Sequence, residues 1–416
     1  MVGLGYVGLP LAQLFLESGH TVYGIDSNRD KIKKLLKNES DLVDVSADDV
    51  AIMFASGRFQ VSSDYSLIEN VDVVIFCLPT PLDRFDHPDL SIVEAAFKET
   101  LPYIHSGQLL VLESTTYPGT TEEKLGQLLE ASGLKVGQDV ALAYSPERID
   151  PGQKALSLKD IPKVVSGVTP SCTNYAKTVY ETAFKEVVIV SKPRAAEMTK
   201  LLENCQRYVN ISLMNELAIL CNKLDIDLWE VIEAAATKPY GFVPYTPGPG
   251  IGGHCIPIDP LYLRWRAKQV GSDLQLLEAS RQINAHMPQF VVTKVLKAVS
   301  KMKPPDKSRI LIVGVTYKKD VSDLRESAAL KVMEGLLNEK VSLTYHDPFV
   351  DQLDIGNTRI QSVPLTEEQL QKHDCTVILT DHSTLDYSKI VQFAPLVVDT
   401  RNATGSLSSQ DHVILL

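Results

Sequence analysis

Gly3-Leu4-Gly5-Tyr6-Val7-Gly8 carries glycines at the spacing G-x-G-x-x-G, and apolar residues at helical spacing (Leu11, Leu14, Phe15) follow directly. The first two glycines permit a tight turn against a pyrophosphate, and the third permits close packing of the helix on its strand. Asp26 ends the next strand-like run, 18 residues past Gly8. An acid there accepts hydrogen bonds from the adenine ribose hydroxyls and repels a 2′-phosphate, which favours NAD over NADP. Only Met1 and Val2 precede Gly3, so either the numbered chain starts late or the first strand is truncated, which would weaken the centre of its sheet.

Working outward, short apolar runs alternate with helical patterns up to about residue 190, for example Thr21–Ile25, Val71–Phe76, Leu109–Leu112, Val140–Ala143 and Val187–Val190. Strands spaced by helices read as a parallel, doubly wound sheet. From Arg194 to Lys238 there is no proline or glycine, and Met198, Leu201, Leu202, Cys205, Val209, Leu213, Leu217 and Leu220 recur at helical spacing. One long amphipathic helix is predicted, then a shorter one capped by Asp227. Lys303-Pro304-Pro305-Asp306-Lys307-Ser308 reads as a linker. Arg309–Gly314 begins a second α/β pattern, continued by Val341–Tyr345, Thr376–Leu379 and Leu396–Val398. The fold class is therefore α/β, with two Rossmann-like doubly wound domains (1–190 and 303–416) joined by a central helical domain (191–302) built on one long helix.

The most chemically loaded stretch is Pro247-Gly-Pro-Gly-Ile-Gly-Gly-His254-Cys255-Ile-Pro-Ile-Asp259-Pro260. Glycines admit a ligand close to the backbone and prolines hold the loop in shape, a setting that suits a nucleophilic thiol. A thiol beside a hydride acceptor is what takes an alcohol past the aldehyde to an acid. The other five cysteines (Cys77, Cys172, Cys205, Cys221, Cys375) are scattered without a C-x-x-C pair, reading as small core hydrophobes rather than disulfides or a zinc site.

The ordered set Gly3–Pro10, Ser114-Thr115, Tyr144-Ser-Pro-Glu147-Arg148, the helix with Lys200 and Asn204, and Gly252-Gly253-His254-Cys255 to Asp259 resembles the nucleotide-sugar 6-dehydrogenases, the UDP-glucose and UDP-N-acetylhexosamine dehydrogenases. The resemblance covers essentially the whole chain. It implies oxidation of a sugar C6 alcohol twice with two NAD+, through a Cys255 thiohemiacetal and thioester. It implies that Lys200 and Asn204 stabilise oxyanions, and that Thr115, Glu147 and Asp259 position water and relay protons. Gly3, Gly5, Tyr6, Val7, Gly8, Asp26, Thr80 and Thr115 would then face the cofactor. Glu147, Arg148, Lys200, Asn204, Tyr245, Gly252, Gly253, Lys318 and Arg325 would face the sugar nucleotide. Spacing alone would put Lys200 and Asn204 on a solvated polar stripe with Glu197 and Arg207. His254, beside the thiol, is expected to shape the loop.

The UDP-glucose enzymes usually carry an aromatic residue before the cysteine, a Lys-Asp pair after it, and a second acid four residues past the Ser-Pro-Glu glutamate. Those positions hold His254, Ile258-Asp259 and Pro151 here. Ser145–Gly152, Tyr240–Tyr245 and Ile256–Leu263 look most like the UDP-N-acetylglucosamine enzymes, with the mannosamine enzymes next. The resemblance also implies a homodimer built on the long helix.

Composition sets outer bounds. The chain has 416 residues, 44% hydrophobic and 22% charged, as expected of a soluble multidomain protein. A net charge of -11 argues against nonspecific nucleic-acid binding. No apolar run reaches a membrane span, and the cysteine usage points to the cytoplasm. A single-step hydroxyacid dehydrogenase would share the NAD domain and a lysine but needs no thiol. A non-catalytic sensor of NAD or nucleotide sugar would not need Cys255, Lys200, Asn204 and Asp259 together.

Overall fold

A computed structural model describes residues 1–42, 44–148, 156–253, 255–356 and 358–416. The chain divides into two compact units, Met1–Glu203 with Leu261–Asp273, and Asn204–Pro260 with Leu274–Leu416.

The first unit holds seven strands: β1 (Val22–Ile25), β2 (Phe59–Ser62), β3 (Val73–Phe76), β4 (Leu109–Leu112), β5 (Ala141–Tyr144), β6 (Lys163–Gly167) and β7 (Val187–Ile189). β1 pairs parallel with β2, and β3, β4 and β5 run parallel side by side. β6 joins β5 antiparallel and carries β7 parallel to itself. The predicted weakness at the sheet's centre does not materialise. Val2 bridges both Ile25 and Phe76, so residues 1–3 stand in for the missing strand. Its amide donates to the Ile75 carbonyl at 2.8 Å, its carbonyl accepts from Cys77 N–H at 2.8 Å, and Gly3 N–H donates to the Ile25 carbonyl at 2.7 Å. Three residues suffice because a central strand is paired on both sides and its few amides are all used. The strand order reverses at Val2, which makes the crevice beyond it the expected ligand site of a doubly wound sheet.

Both faces of this sheet are buried, as parallel strands require. Leu109 and Val111 face a core with Leu9, Leu11, Val22 and Tyr180. Leu110 and Leu112 face the opposite core with Val2, Ile25, Phe76 and Phe97.

The second unit carries β8 (Arg309–Val313), β9 (Ser342–His346), the hairpin β10 (Gln352–Ile355) with β11 (Thr358–Gln361), β12 (Cys375–Ile378), β13 (Val397–Asp399) and β14 (Val413–Leu415). Its main sheet is wholly parallel, in the order β14-β13-β12-β8-β9. Ile310 and Ile312 face Met287, Val291 and Val295 of the helix Gln275–Val299 and Val332 of the helix Ala328–Asn338. Leu311 and Val313 face Ile390 and Val391 across the other side.

The uninterrupted segment forms one helix, Pro193–Leu224, of 32 residues, and Asp227 caps the next by accepting the Trp229 amide. None of the described helices is long and apolar enough to cross a membrane.

The glycine loop is packed unevenly. A Cβ on Gly8 would lie 1.8 Å from the Gly3 carbonyl oxygen, whereas one on Gly5 would meet nothing within 4 Å. Gly8→Ala is therefore expected to lower the unfolding free energy by more than about 2 kcal/mol, and Gly5→Ala to change it by less than about 1 kcal/mol. Urea unfolding of both variants checks this, and equal losses would refute the assignment.

Candidate active site

In the first unit, Gly3 takes φ of 91°, and a side chain there would press on the Cys77 carbonyl. Tyr6 and Val7 lie in the turn that enters the helix Gly8–Glu17. That helix start has no side-chain cap and no acid in its first turn. This uncapped helix start and the open space at Gly5 fit a pyrophosphate. Asp26 accepts the Leu4 amide at 3.0 Å, the Asn28 amide at 2.9 Å and Lys31 Nζ at 2.7 Å. Burial would raise its carboxyl, but Lys31 and these amides hold it below its ordinary value. Lys31 was not anticipated as its partner.

The ends of β3 and β4 are laced together. Thr80 Oγ1 donates to the Thr115 carbonyl at 2.8 Å, and the Leu78 amide donates to Ser114 Oγ at 2.9 Å. Tyr262, fully buried, donates its hydroxyl to the Thr80 carbonyl at 2.8 Å. Beyond β5, Glu147 is buried and accepts from Lys200 Nζ at 3.2 Å. Arg148 pairs with Glu203 at 2.8 Å and donates to the Pro162 carbonyl.

The polar stripe of the long helix is not solvated. Glu197 is 0% exposed, Lys200 6% and Asn204 5%, while Arg207 is exposed. The reverse side carries Met198, Leu202, Leu213, Leu220 and Leu224, all exposed. Glu197 accepts from the Gly119 amide, and from the Thr121 amide and hydroxyl at 2.8 and 2.7 Å. It ties the loop that follows Thr115 to the helix one turn before Lys200. Burial pushes its carboxyl up to about 7, against the lowering pull of the Thr121 and Gly119 donors.

A buried charge cluster was missed by sequence reasoning. Lys163 Nζ donates to Glu113 at 2.6 Å and reaches the Pro146 carbonyl at 3.4 Å, and Tyr180 donates its hydroxyl to Glu113. Its only signal was an acid ending the apolar run Leu109–Leu112. It braces β4 against the turn that presents Glu147.

In the second unit, the Cys255 carbonyl accepts the amides of Ile258 and Asp259, at 3.1 and 2.9 Å. This turn sets Asp259, 1% exposed, at the start of the helix Asp259–Gln269, where Asn204 Nδ2 donates to its carboxylate at 2.5 Å. Cys255 is half-buried, and so is Cys221. Burial pushes Cys205 up to about 12, with the Asp259 charge adding to it, and raises Cys77 and Cys375 as well. His254 and the Ile149–Gly152 part of the Ser-Pro-Glu motif lie outside the described residues.

The loop before the thiol is threaded through side-chain amides. Gly248 N–H donates to Asn215, which donates to Asn284 at 2.8 Å. A Cβ on Gly248 would lie 2.6 Å from the guanidinium of half-buried Arg401, a cation the sequence did not single out. Gly253 takes φ of 92° and stacks so closely on Tyr317 that a Cβ would lie 2.7 Å from its ring; its amide donates to the Arg325 carbonyl at 3.2 Å. Gly252 abuts Glu326 and Tyr317 in the same way. Lys318 is half-buried nearby in the chain, whereas the exposed Arg325 side chain forms a fork with Asp323, at 2.6 Å for its shortest bond. Tyr245 donates its hydroxyl to Gln206 at 2.8 Å.

Comparison with known proteins agrees with this geometry. Residues 1–184 match the NAD binding domain of the UDP-glucose/GDP-mannose dehydrogenase family, residues 194–286 its central domain and residues 311–406 its UDP binding domain. The chain is 36% identical to UDP-N-acetyl-D-glucosamine 6-dehydrogenase of Pseudomonas aeruginosa, over 85% of this chain and 83% of that one. It is 35% identical to UDP-N-acetyl-D-mannosamine dehydrogenase of Pyrococcus horikoshii, over 92% and 88%. The solved UDP-D-ManNAc dehydrogenase of Pyrococcus horikoshii superposes with a TM-score of 0.90 at 31% identity, over 100% of this chain and 97% of that one. The chain belongs to the UDP-glucose/GDP-mannose dehydrogenase family, and it is an NAD-dependent nucleotide-sugar dehydrogenase.

A raised carboxyl favours its protonated form in the folded chain. Glu197 therefore stabilises the fold fully below its ordinary value of 4.5, and that contribution is lost as pH rises toward about 7. Compared with Glu197→Gln, the wild-type chain should lose urea resistance between about pH 5 and about pH 8. A difference that does not change with pH would show that Glu197 is ionised throughout.

Proposed function

We propose that this chain oxidises the C6 alcohol of a UDP-N-acetylhexosamine, UDP-N-acetylglucosamine in the first instance, through the aldehyde to the uronic acid. The observation that carries this reading is Cys255. It is a half-buried thiol in a glycine-rich turn whose carbonyl is held by the Asp259 amide, and Asn204 fixes the Asp259 carboxylate. The deeply buried thiols are unsuited to ionise, since burial raises Cys77, Cys205 and Cys375.

Gly3, Gly5, Tyr6, Val7, Gly8, Asp26, Thr80 and Thr115 would hold NAD, which when bound accepts one hydride in each oxidation. Loss of a hydride and the hydroxyl proton gives the aldehyde. The Cys255 thiolate adds to the aldehyde carbon to form a thiohemiacetal, whose own hydride and proton are then lost to leave a thioester. Water cleaves the thioester, releases the carboxylic acid and returns the thiol. Lys200 supplies a cation and Asn204 an amide for the developing oxyanions, four residues apart on one helix. Its ion pair with Glu147 keeps the Lys200 ammonium oriented and gives it a carboxylate for proton exchange. Thr115, Glu147 and Asp259 would position water and relay protons. Arg148, Tyr245, Gly252, Gly253, Lys318 and Arg325 would receive the sugar nucleotide, with Lys318 as a point charge and Arg325 as a fork released from Asp323 contacting its diphosphate.

UDP-N-acetylmannosamine is the second reading, favoured by the mannosamine enzymes among the relatives and by the fit to one solved at a TM-score of 0.90. With either sugar limiting, two NADH per sugar are expected from the true donor, and UDP-glucose should give little. One NADH per sugar would remove the thioester. Cys255→Ala should cut acid formation by about a thousandfold or more with NAD affinity unchanged; undiminished acid formation would sink the nucleophile assignment.

The chain is proposed to act as a homodimer. Met198, Leu202, Leu213, Leu220 and Leu224 fall on one side of the long helix and are exposed in a single chain. Leu213→Glu combined with Leu220→Glu should shift the sedimentation coefficient from dimer to monomer. An unchanged value would move the interface elsewhere.

A further inference from the structure

We propose that His382 is a positioning residue for the nucleotide end of the substrate, acting through the turn that carries Lys318. This rests on the reading of Lys318 and Arg325 as the diphosphate contacts.

His382 is 0% exposed, just beyond the C-terminal end of β12. Its Nδ1 accepts the Asp320 amide at 3.0 Å, which leaves the ring proton on Nε2. Nε2–H is donated to Asp347 Oδ2 at 3.0 Å, with Thr316 Oγ1 at 3.4 Å as a further neighbour. Asp347 Oδ2 also accepts the Val315 amide at 2.7 Å. The imidazole thus spans from the end of β9 to the turn after β8. Asp320 sits at φ of 61°, a left-handed conformation that needs support, and its carboxylate accepts the amide and hydroxyl of Ser383 at 2.8 and 2.7 Å. On the near side, Thr316 donates to the Lys318 carbonyl at 2.8 Å and accepts the Thr380 hydroxyl on its own carbonyl at 2.7 Å. Lys318 is held between two anchors, and one of them is the lone pair of His382 Nδ1. Phe349, 5.0 Å away centroid to centroid, closes over the ring.

A side chain that only filled space would not need that lone pair. Asn at 382 can present an oxygen near the Nδ1 position, while Gln can reach Asp347 but offers the Asp320 amide no acceptor. Asp347 stays satisfied in both cases by the amides of Val315 and Phe349.

The test is the affinity of the full chain for UDP and, separately, for NAD+. His382→Ala and His382→Gln are expected to weaken UDP binding by about tenfold or more, His382→Asn by no more than about threefold, and none should alter NAD+ affinity. If the alanine variant fails to fold, the Asn and Gln pair decides alone. UDP affinity unchanged in Gln, or lost equally in Asn and Gln, would overturn the role. So would a parallel loss of NAD+ affinity. No UDP binding by the wild-type chain would overturn both this role and the phosphate assignment, whereas a chain that binds UDP but oxidises no UDP-N-acetylhexosamine leaves only the substrate reading at fault.

Discussion

Burying a lysine ammonium costs several kcal/mol unless an opposite charge meets it. Lys200 is 6% exposed, and the Glu147 carboxylate lies 3.2 Å from it. That ion pair fixes the turn beyond β5 to the long helix, and neighbouring polar contacts serve the same join. Lys163 reaches the carbonyl of Pro146, next to Glu147, and Arg148 grips Glu203 one turn past Lys200. Glu197, one turn before Lys200, draws in the amides of Gly119 and Thr121. A helix that gave this stripe to water would take the Lys200 ammonium away from the buried Glu147 carboxylate. The helix therefore turns Glu197, Lys200 and Asn204 inward beside Leu201 and leaves Met198, Leu202, Leu213, Leu220 and Leu224 outward, an orientation that amphipathicity alone does not dictate.

The second unit meets a different constraint, close approach of backbone to backbone. Gly252 and Gly253 lie so near Tyr317 and Glu326 that a Cβ at either would fall inside contact distance. The amide of Gly253 on the Arg325 carbonyl joins the loop before Cys255 to the segment that carries Lys318 and Arg325. Glycine there serves packing within the protein as much as access for a ligand.

Much of this was legible in the sequence. The glycine spacing, the acid at 26 and the alternation of short apolar runs with helices gave both doubly wound sheets, because parallel strands buried on both faces must be apolar throughout. The unbroken stretch after Arg194 announced the long helix, since nothing in it stops one. The polar stripe was the misreading by spacing alone: periodicity reports which residues share a face, never which face looks inward. Only the resemblance to a family put Lys200 and Asn204 inside. The Glu113–Lys163–Tyr180 cluster and the His382–Asp347 pair escaped for another reason. Their members lie 67 and 35 positions apart, and no local pattern marks such partners. Two residues ahead of Gly3 read as too few to make a central strand, yet Val2 fills that place because its neighbours on both sides supply the hydrogen bonds.

One separation among the thiols follows from burial reinforced by charge. Cys205 lies one residue past Asn204 on the helix, close enough to Asp259 to feel its charge, and that charge adds to burial in keeping its thiol protonated. Asp259 also meets Cys255 through its backbone amide, which donates to the Cys255 carbonyl at 2.9 Å. Asn204 takes the carboxylate by its own amide hydrogen, at 2.5 Å. Burial thus separates the two thiols: Cys205 is held protonated within the helix packing, whereas Cys255 lies half-buried in the glycine-rich turn, the setting that the proposed attack requires.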